Sequence, residues 1–227
     1  LPLIGIAYGA SRQDPDANRM AAVGVYFLAA MVFWAIFEQA GSTLTLFADT
    51  LTRTDFLGLS FPSSWFQSAN PIFVILLTPL AAGLWMKLGD RQPSSPVKFG
   101  LGLVFLAGSF LLMVPAANYA ADGRVSPLWL LGLYFLFTVG ELMLSPVGLS
   151  TMTRIAPSRM SGQVLGLWFL AAAFGNKIAG DIGGAFAAND PDALALSFLA
   201  QAALVAVAAA LMFAVTPIVK RLSDGES

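Results

Sequence analysis

Six long apolar stretches, separated by short polar segments, make up most of the chain. A helix needs about 20 predominantly apolar residues to cross the core of a bilayer. The stretches that meet this length are 21–46, 65–88, 99–117, 128–152, 163–186 and 193–219. The segments between them carry charged residues together with Gly, Pro and Asn, which are typical of loops. The pattern therefore predicts six transmembrane helices, which we number as spans 1 to 6.

The bilayer restricts the structures that these spans can form. Its core holds no water, so backbone groups must be paired within a helix or a closed barrel. Strands of a membrane barrel would alternate in hydrophobicity over segments of about 10 residues, and this sequence shows long continuous stretches instead. Composition agrees, because 57% of the 227 residues are hydrophobic and 11% are charged, against about 25% charged in soluble domains. The sequence predicts an all-α membrane protein.

The distribution of Lys and Arg predicts how the spans are oriented, because cytoplasmic loops carry an excess of these residues. One side of the membrane would hold only Arg53 and Arg124. The other side would hold Arg12, Arg19, Lys87, Arg91, Lys98, Arg154, Arg159, Lys220 and Arg221. Both chain ends are therefore expected in the cytoplasm. Residues 1–18 would be a linker or the tail of a preceding segment, 19–222 the bundle, and 223–227 a cytoplasmic tail.

Six spans with both ends on one side can be divided into two triplets of opposite topology. This 3+3 inverted repeat occurs within each half of major facilitator transporters. Glu38 in span 1 and Glu141 in span 4 occupy corresponding members of the triplets, whereas spans 3 and 6 contain no charged residue. We therefore expect spans 1 and 4 to line a cavity and spans 3 and 6 to face lipid. A second six-helix half is expected to complete the transporter.

The residue types that are missing limit the chemistry. The sequence has no Cys and no His, which excludes disulfides, thiol nucleophiles, imidazole bases and the common zinc sites. Its 12 basic residues are widely spaced and its net charge is −1, which does not fit a nucleic-acid-binding surface. We expect neither enzymatic activity, nor a metal or cofactor site, nor a nucleic-acid partner.

Glu38 and Glu141 are the leading candidates for function. A charge at the bilayer centre costs about 3 kcal/mol on insertion scales, so ionisable residues within spans usually mark ion or substrate pathways. Burial favours the protonated form of a carboxyl group, whereas a nearby cation favours the ionised form. A glutamate that alternates between these surroundings can couple proton movement to a change of access. The alternative is a structural ion pair or a protonated carboxyl group within the bundle.

Three further charged residues are candidates for coupling or gating. Lys177 and Asp181 are four residues apart in span 5, where they can pair within one helix. They could belong to an outer gate or simply neutralise each other. Asp49 lies at the outer end of span 1, where a solvated acid at a helix end is the alternative.

Polar and aromatic side chains accompany the two acids. Trp34 precedes the first acid by one helical turn and shares its face. Asn70 precedes Pro71, which is expected to kink span 2 and free a backbone carbonyl. The Asn70 amide could contact a substrate or satisfy the broken helix. Trp168 and Phe169 in span 5 could form a second cavity wall or pack in the core.

Three segments carry family-like motifs: FWAIFEQAGS (33–42), QSANP (67–71) and GELMLSPVGLS (140–150). In this order they resemble motifs in helices 7, 8 and 10 of the proton-dependent oligopeptide transporter family, within the major facilitator superfamily. LGDR (88–91) also looks like a cytoplasmic loop element of that superfamily. The resemblance covers about residues 19 to 221. It implies that the chain is the C-terminal half, helices 7 to 12, of such a transporter.

The resemblance implies a role for each candidate residue near the two acids. Glu38 occupies the family's proton-linked ion-pair position, and Glu141 occupies the position that binds the amino terminus of the peptide. Asn70 would assist in binding the peptide backbone or amino group. The side-chain pockets would be lined by Trp34, Trp168 and Phe169.

The implied function is proton-coupled symport of di- and tripeptides by alternating access, in the inner membrane of a bacterium. The partners would be peptides, protons and lipid, and the proton gradient would drive transport without a cofactor. The family's acidic helix 1 motif and its helix 4 Lys are not in this chain, so an N-terminal six-helix half is expected as a partner. A half that carries another solute, such as nitrate or a drug, and a non-transporting membrane subunit are the alternatives.

Overall fold

The computed structural model describes residues 15–56, 58–184 and 190–224. These residues form helices and short connections, with one two-stranded hairpin, β1 (Asp55–Phe56) and β2 (Leu59–Ser60), in the loop after span 1. The α-helices are α1 (Pro15–Phe37), α2 (Thr43–Thr50), α3 (Ala69–Leu88), α4 (Ser95–Tyr119), α5 (Leu128–Ile155), α6 (Ser161–Gly183) and α7 (Pro191–Asp224). The prediction of an all-α fold is confirmed.

Five segments of the described chain are long and apolar enough to cross a membrane. Four of them contain α3, α4, α5 and α7, and the fifth is span 1, in which α1 and α2 are joined by a short turn. Span 5 corresponds to α6, which has 23 residues but is not among the five. Its hydropathy is lowered by Asn176, Lys177 and Asp181. All six predicted spans are therefore helical over the residues that the structure describes, and α6 is the one that is not apolar enough to count among the five.

The ends of the bundle differ from the predicted bounds. The first helix begins at Pro15, so residues 15–18 of the predicted linker belong to α1. The last helix continues to Asp224, into the predicted tail. Residues 1–14 of the predicted linker, 185–186 of predicted span 5 and 225–227 of the predicted tail are among those outside the described residues. Hydrophobicity marks the part of a helix that suits lipid, so it underestimates helices that extend into water.

Span 1 is interrupted at its acidic residue. The sequence predicts one continuous helix over 21–46, but α1 ends at Phe37 and a 3₁₀ turn, Glu38–Gly41, separates it from α2. The following Ser42 has φ −126° and ψ −94°, outside helical values. The local sequence favours this break, because the side chains of Ser42 and Thr43 can compete for backbone hydrogen bonds and Gly41 weakens a helix. A 3₁₀ stretch inside a helix often marks a functional hinge.

The most extensive helix packing involves α4, which contacts α7 and α5. Gly102 of α4 faces Gly140 of α5, and a Cβ atom on Gly140 would lie 2.7 Å from the Gly102 carbonyl oxygen. The two backbones therefore cross at the close range that small residues allow. Of the apolar window of α4, 56% is buried inside the protein. The lack of charge in span 3 thus reflects burial in protein to a large extent, and not only the predicted contact with lipid.

The other helices surround this pair unevenly. α1 packs against α6 and α7, whereas α3 packs mainly against α5. No part of the apolar window of α3 is buried by the described residues, and Ile75 and Leu80 are largely exposed. Ala69, the first residue of α3, is buried. The start of α3 therefore joins the core, while the rest of the helix presents an apolar surface.

Candidate functional site

A small cavity lies between spans 1, 2 and 4, where span 1 is interrupted. Its volume is about 140 Å³. The residues that line it are Phe37, Ala40, Gly41, Gln67, Asn70, Tyr134 and Phe137. The 3₁₀ turn of span 1, the start of α3 and the middle of α5 therefore meet at one place. Glu38 and Glu141 are not among the lining residues, but Phe37 directly precedes Glu38 and Asn70 contacts Glu141.

Asn70 connects α3 to α5 through its side-chain amide. Its Nδ2 donates hydrogen bonds to Oε2 of Glu141 and to Oγ1 of Thr138, each at 3.0 Å. The Thr138 hydroxyl donates in turn to the carbonyl oxygen of Tyr134 at 2.8 Å. The structure thus brings together Asn70 and Glu141, to which the resemblance assigns the amino end of a peptide.

Pro71 does not kink span 2 as predicted. α3 begins at Ala69, after a 3₁₀ turn over Ser63–Ser68, so Pro71 lies in the first turn of the helix. The first N–H groups of a helix have no intrahelical partner, and Pro is therefore tolerated there. Asn70 is held at the start of a regular helix.

Glu38 is half-buried at the first position of the 3₁₀ turn. Across the described ranges, its carboxylate forms neither a hydrogen bond nor a salt bridge. Glu38 follows Phe37, which lines the cavity together with Asn70, the hydrogen-bond partner of Glu141. None of the described residues that line the cavity is Lys or Arg. A charged carboxylate inside a membrane requires a cation or water, and otherwise takes up a proton.

Aromatic rings from α1, α5 and α6 form a continuous wall, of which Phe37 and Phe137 line this cavity. The aromatic wall consists of Phe33, Trp34, Phe37, Phe137 and Trp168. Phe37 stacks on Phe137 with ring centroids 4.1 Å apart. Trp34 meets Phe37 and Trp168 edge to face, at 5.2 Å and 6.4 Å. The Nε1 atom of Trp34 is buried without a hydrogen-bond partner in the described part of the chain, although buried indole N–H groups usually have one.

Trp168 and Phe169 point in different directions although they are neighbours in α6. Trp168 is 4% exposed, whereas Phe169 is 62% exposed. Gly148 makes room for Trp168, since a Cβ atom at this glycine would lie 2.6 Å from the indole ring. Of the two predicted pocket residues, Trp168 therefore belongs to the aromatic wall, and Phe169 lies on an outer surface of the described bundle.

The other predicted charged residues lie away from the cavity. Nζ of Lys177 and Oδ2 of Asp181 are 3.0 Å apart, with side chains 74% and 70% exposed, so the predicted pair within one helix is present. Asp49, near the end of α2, accepts a hydrogen bond from the Ser63 hydroxyl at 3.0 Å. This contact links span 1 to the turn before α3. The coupling or gating roles of these three residues stay predictions.

Gln39 is a central residue that sequence reasoning did not single out. Its side chain is fully buried, and its Nε2 donates to the carbonyl oxygens of Ala35 at 3.3 Å and Ala179 at 3.2 Å. Its Oε1 accepts hydrogen bonds from the hydroxyls of Ser42 and Thr43. One amide thus ties the interrupted turn of span 1 to α6. The available signal was a strongly polar residue inside an apolar span, next to an acid.

A face of small residues on α6 lets span 1 approach closely. Gly175, Ala179 and Gly183 are spaced four residues apart. A Cβ atom on Gly175 would lie 2.5 Å from Cβ of Trp34, and one on Gly183 would lie 2.5 Å from Cβ of Ser42. Such spacing of small residues is a known basis of close helix packing in membranes, so the sequence did contain the signal for this contact.

Comparison with known proteins gives the family. The sequence model of the POT family matches residues 5–194. This chain belongs to the POT family. The predicted resemblance to the proton-dependent oligopeptide transporters is thereby confirmed, and the motifs around Glu38, Asn70 and Glu141 all lie within the matched range.

Bacterial relatives match most of this chain. Uncharacterized transporter YclF of Bacillus subtilis (strain 168) is 40% identical over 210 residues, which are 92% of this chain and 42% of that protein. Peptide transporter YePEPT of Yersinia enterocolitica is 41% identical over 215 residues, with the same two shares. Dipeptide and tripeptide permease A of Escherichia coli (strain K12) is 32% identical over 219 residues, 92% and 44% of the two chains. The chain therefore spans less than half the length of these relatives.

Solved structures confirm the fold. The chain is similar to the peptide transporter POT in complex with sulfate, with 36% identity and a TM-score of 0.88 over 98% of this chain and 45% of that one. A mutant of peptide transporter POT in complex with alafosfalin matches equally well, over 98% and 46%. A POT family transporter in complex with 5-aminolevulinic acid is 25% identical, with a TM-score of 0.83 over 96% and 46%. The predicted half of a major facilitator fold is therefore confirmed.

Proposed function

We propose that this chain is the C-terminal half of a proton-coupled di- and tripeptide symporter that works by alternating access. The observation that carries the proposal is the site between spans 1, 2 and 4, where Asn70 binds Glu141 beside a half-buried Glu38. Relatives named as a peptide transporter and as a dipeptide and tripeptide permease support this substrate class.

The chemistry of the site suits the amino end of a peptide. The Glu141 carboxylate is an acceptor for an ammonium group, and the Asn70 amide holds its Oε2 atom in place at 3.0 Å. The aromatic wall can contact apolar side chains and attract a cation to its ring faces. The side-chain pocket would combine this wall with Phe169 and residues of the other half.

Glu38 suits a proton carrier in this mechanism. It stands at the interrupted turn of span 1 without a cation partner among the described residues. A cation of the N-terminal half would pair with its ionised form in one state, and a proton would neutralise it in the other. The 3₁₀ turn would allow span 1 to bend as this charge changes. Asp49, Lys177 and Asp181 would contribute to gating at the outer end.

The proposed setting follows from the same features. The bacterial relatives support a bacterial inner membrane, and the excess of Lys and Arg on one side supports cytoplasmic chain ends. Partners would be protons, lipid and the N-terminal half, which would cover the exposed surfaces of α3 and α6.

Uptake by the full transporter in proteoliposomes tests the proposal. Glu38→Gln is expected to abolish peptide accumulation driven by a proton gradient while peptide exchange continues, because proton release is lost and binding is kept. Glu141→Gln is expected to reduce both modes at least about tenfold, because the ligand loses a charged partner. Asp122→Asn, an exposed acid in a loop, is the matched control. Unchanged uptake and pH dependence in both site variants would contradict the assignment.

A second candidate cargo is another small solute with an amino group. One solved POT family transporter binds 5-aminolevulinic acid, and the acidic site of this chain favours an amine over an anion such as nitrate. Separate proteoliposome uptake assays with labelled dipeptide and with labelled 5-aminolevulinic acid distinguish the candidates. Uptake of the acid without dipeptide uptake would favour the second cargo.

A further inference from the structure

A larger polar cavity lies at the end of the bundle where α1 and α4 begin and α5 and α7 end. Its volume is about 590 Å³. Arg19 of α1, Arg154 of α5 and Lys220 of α7 all line it. None of its described lining residues is acidic. Three cations from three helices therefore line one cavity with no acidic side chain among its described lining residues, an arrangement that attracts anions. We call it the basic cavity.

The start of α4 adds neutral donors to the basic cavity. Ser94 occupies the N-cap position of α4, yet its side chain forms no capping hydrogen bond. Its Oγ atom is buried without a partner among the described residues, and both Ser94 and Ser95 line the cavity. The first N–H groups of a helix have no intrahelical partner and carry a partial positive charge. The side chains of Ser94 and Ser95 thus line the same space as the cations, and Pro96 beside them has no backbone N–H to add.

The basic residues in and around this cavity differ in whether their nitrogen atoms have hydrogen-bond or ion-pair partners. The Nε atom of Arg19 is buried and has no partner in the described part of the chain, which is costly for a guanidinium group. Nearby Lys98 is satisfied instead, since its Nζ donates to Oε1 of Gln92 at 2.6 Å and lies 4.2 Å from the centre of the Trp85 ring. Arg159 pairs with Asp16. An anion in the cavity would supply the acceptor that Arg19 lacks.

We propose that the basic cavity binds a phosphate group. Guanidinium groups bind phosphate oxygens through paired N–H donors, and an ammonium group adds a point charge. Hydroxyls and a helix start complete such sites. The phosphate could belong to an anionic lipid headgroup, because basic pockets between membrane helices bind such groups, or to free phosphate in the cytoplasm.

This site is distinct from the proposed peptide site. The two cavities share no lining residue. Its ligand would join the ends of α1, α4, α5 and α7, and would therefore stabilise this half of the transporter by binding the folded state.

Thermal unfolding of the full transporter in detergent tests the proposal in two arms. One arm adds phosphatidylglycerol, with phosphatidylcholine as the uncharged reference. The other adds inorganic phosphate, with chloride at equal ionic strength. We expect a saturable rise in Tm in at least one arm. A response to phosphatidylglycerol alone identifies a lipid headgroup, and a response to inorganic phosphate identifies the free anion.

Variants locate the binding. Arg154→Gln is expected to raise the ligand concentration for half the effect about tenfold, because a charge-assisted hydrogen bond is lost. As controls, Lys87→Gln and Arg91→Gln remove exposed cations outside the cavity. They are expected to change the ligand concentration for half the effect by less than about twofold. Each rise in Tm is measured relative to the Tm of the same variant without ligand.

If Arg154→Gln does not fold, Arg154→Lys and Ser94→Ala serve instead, each with an expected weakening of ligand binding of at least about threefold. No saturable rise in either arm, or equal weakening by the control variants, would overturn the proposal.

Discussion

At the scale of single residues, the position of the Glu141 carboxylate depends on Asn70. The amide nitrogen is shared between Glu141 and Thr138, each at 3.0 Å. Hydrogen bonds to charged groups contribute about 1.5–3 kcal/mol. Asn70 therefore has the contacts of a positioning residue for the acid that the proposed peptide would meet.

Replacing Asn70 with Ala is expected to weaken peptide binding about tenfold, because Glu141 loses the donor that orients it. Titration of the full transporter with a dipeptide, followed by calorimetry, measures the change. Thr78→Val is the control on the same helix, because the Thr78 hydroxyl is exposed and donates only to the carbonyl oxygen of Val74. An Asn70→Ala affinity equal to that of the control would show that the amide has no such role.

Gln39 has a structural role of comparable weight. Gln39→Ala is expected to lower the free energy of unfolding by about 2 kcal/mol, because the Thr43 hydroxyl and the Ala179 carbonyl lose a buried partner. Thermal unfolding in detergent detects this as a lower Tm. Gln163→Ala, at an exposed position of α6, should leave Tm close to that of the wild type. Equal Tm values for both variants would contradict the role of Gln39.

At the scale of elements, span 1 and α6 are joined by close packing and by a side-chain hydrogen bond. The small residues Gly175, Ala179 and Gly183 allow α6 to lie against α1 and the 3₁₀ turn. Gln39 fastens that turn to α6 at Ala179. A bend of span 1 at Glu38 would therefore involve α6, which also carries Trp168 of the aromatic wall.

Gly175→Ala is expected to destabilise the protein by about 1–3 kcal/mol, the usual cost of overpacking. The added methyl group would lie 2.5 Å from Cβ of Trp34 and 2.8 Å from the backbone nitrogen of Ala35. Gly166→Ala on the same helix has nothing within 4 Å, so it is expected to be neutral or to stabilise by up to about 1 kcal/mol. The unfolding temperatures of both variants, each compared with that of the wild type, test this prediction. A Gly175→Ala variant as stable as the wild type would show that α1 and α6 can move apart without a loss of stability.

At the scale of the whole molecule, the described bundle presents a large apolar surface. The apolar window of α3 has no buried residue, and Phe169 is exposed on α6. In water, exposed apolar areas of this kind mark interaction or membrane surfaces. Coverage of less than half of each relative agrees with a second half as the proposed partner.

Cysteine labelling tests the proposed orientation, because this chain contains no Cys of its own. In a cysteine-free version of the full transporter, Asp90→Cys and Asp122→Cys place single thiols at exposed positions beyond opposite ends of α4. We expect a membrane-impermeant maleimide to label Cys at 122 in intact cells, and Cys at 90 only after the inner membrane is opened. The reverse pattern would invert the assignment made from Lys and Arg.

Sequence reasoning located the helices well and their interruptions poorly. Bilayer thickness imposes a length and an apolar composition on each span, so the stretches were visible without any tertiary contact. The break at Glu38 was missed because its local signals, Gly41, Ser42 and Thr43, lie inside a long apolar stretch. The hydrogen bond from Gln39 to Ala179 that holds the turn against α6 joins residues 140 positions apart. The kink predicted at Pro71 was wrong because the start of α3 at Ala69 depends on where the preceding turn ends.

The sequence by itself determined the membrane environment, the six helices and the family motifs, since each depends on composition or on residues close together in the chain. It also singled out Glu38 and Glu141 as candidates, because a charge in an apolar span is locally evident. Only the tertiary structure decided that Asn70 holds Glu141, that Trp168 and Phe169 diverge, and that Arg19, Arg154 and Lys220 share a cavity. Such contacts depend on how each helix is rotated about its axis and on the angle at which it crosses its neighbours. Both are set by packing between side chains that are far apart in the chain.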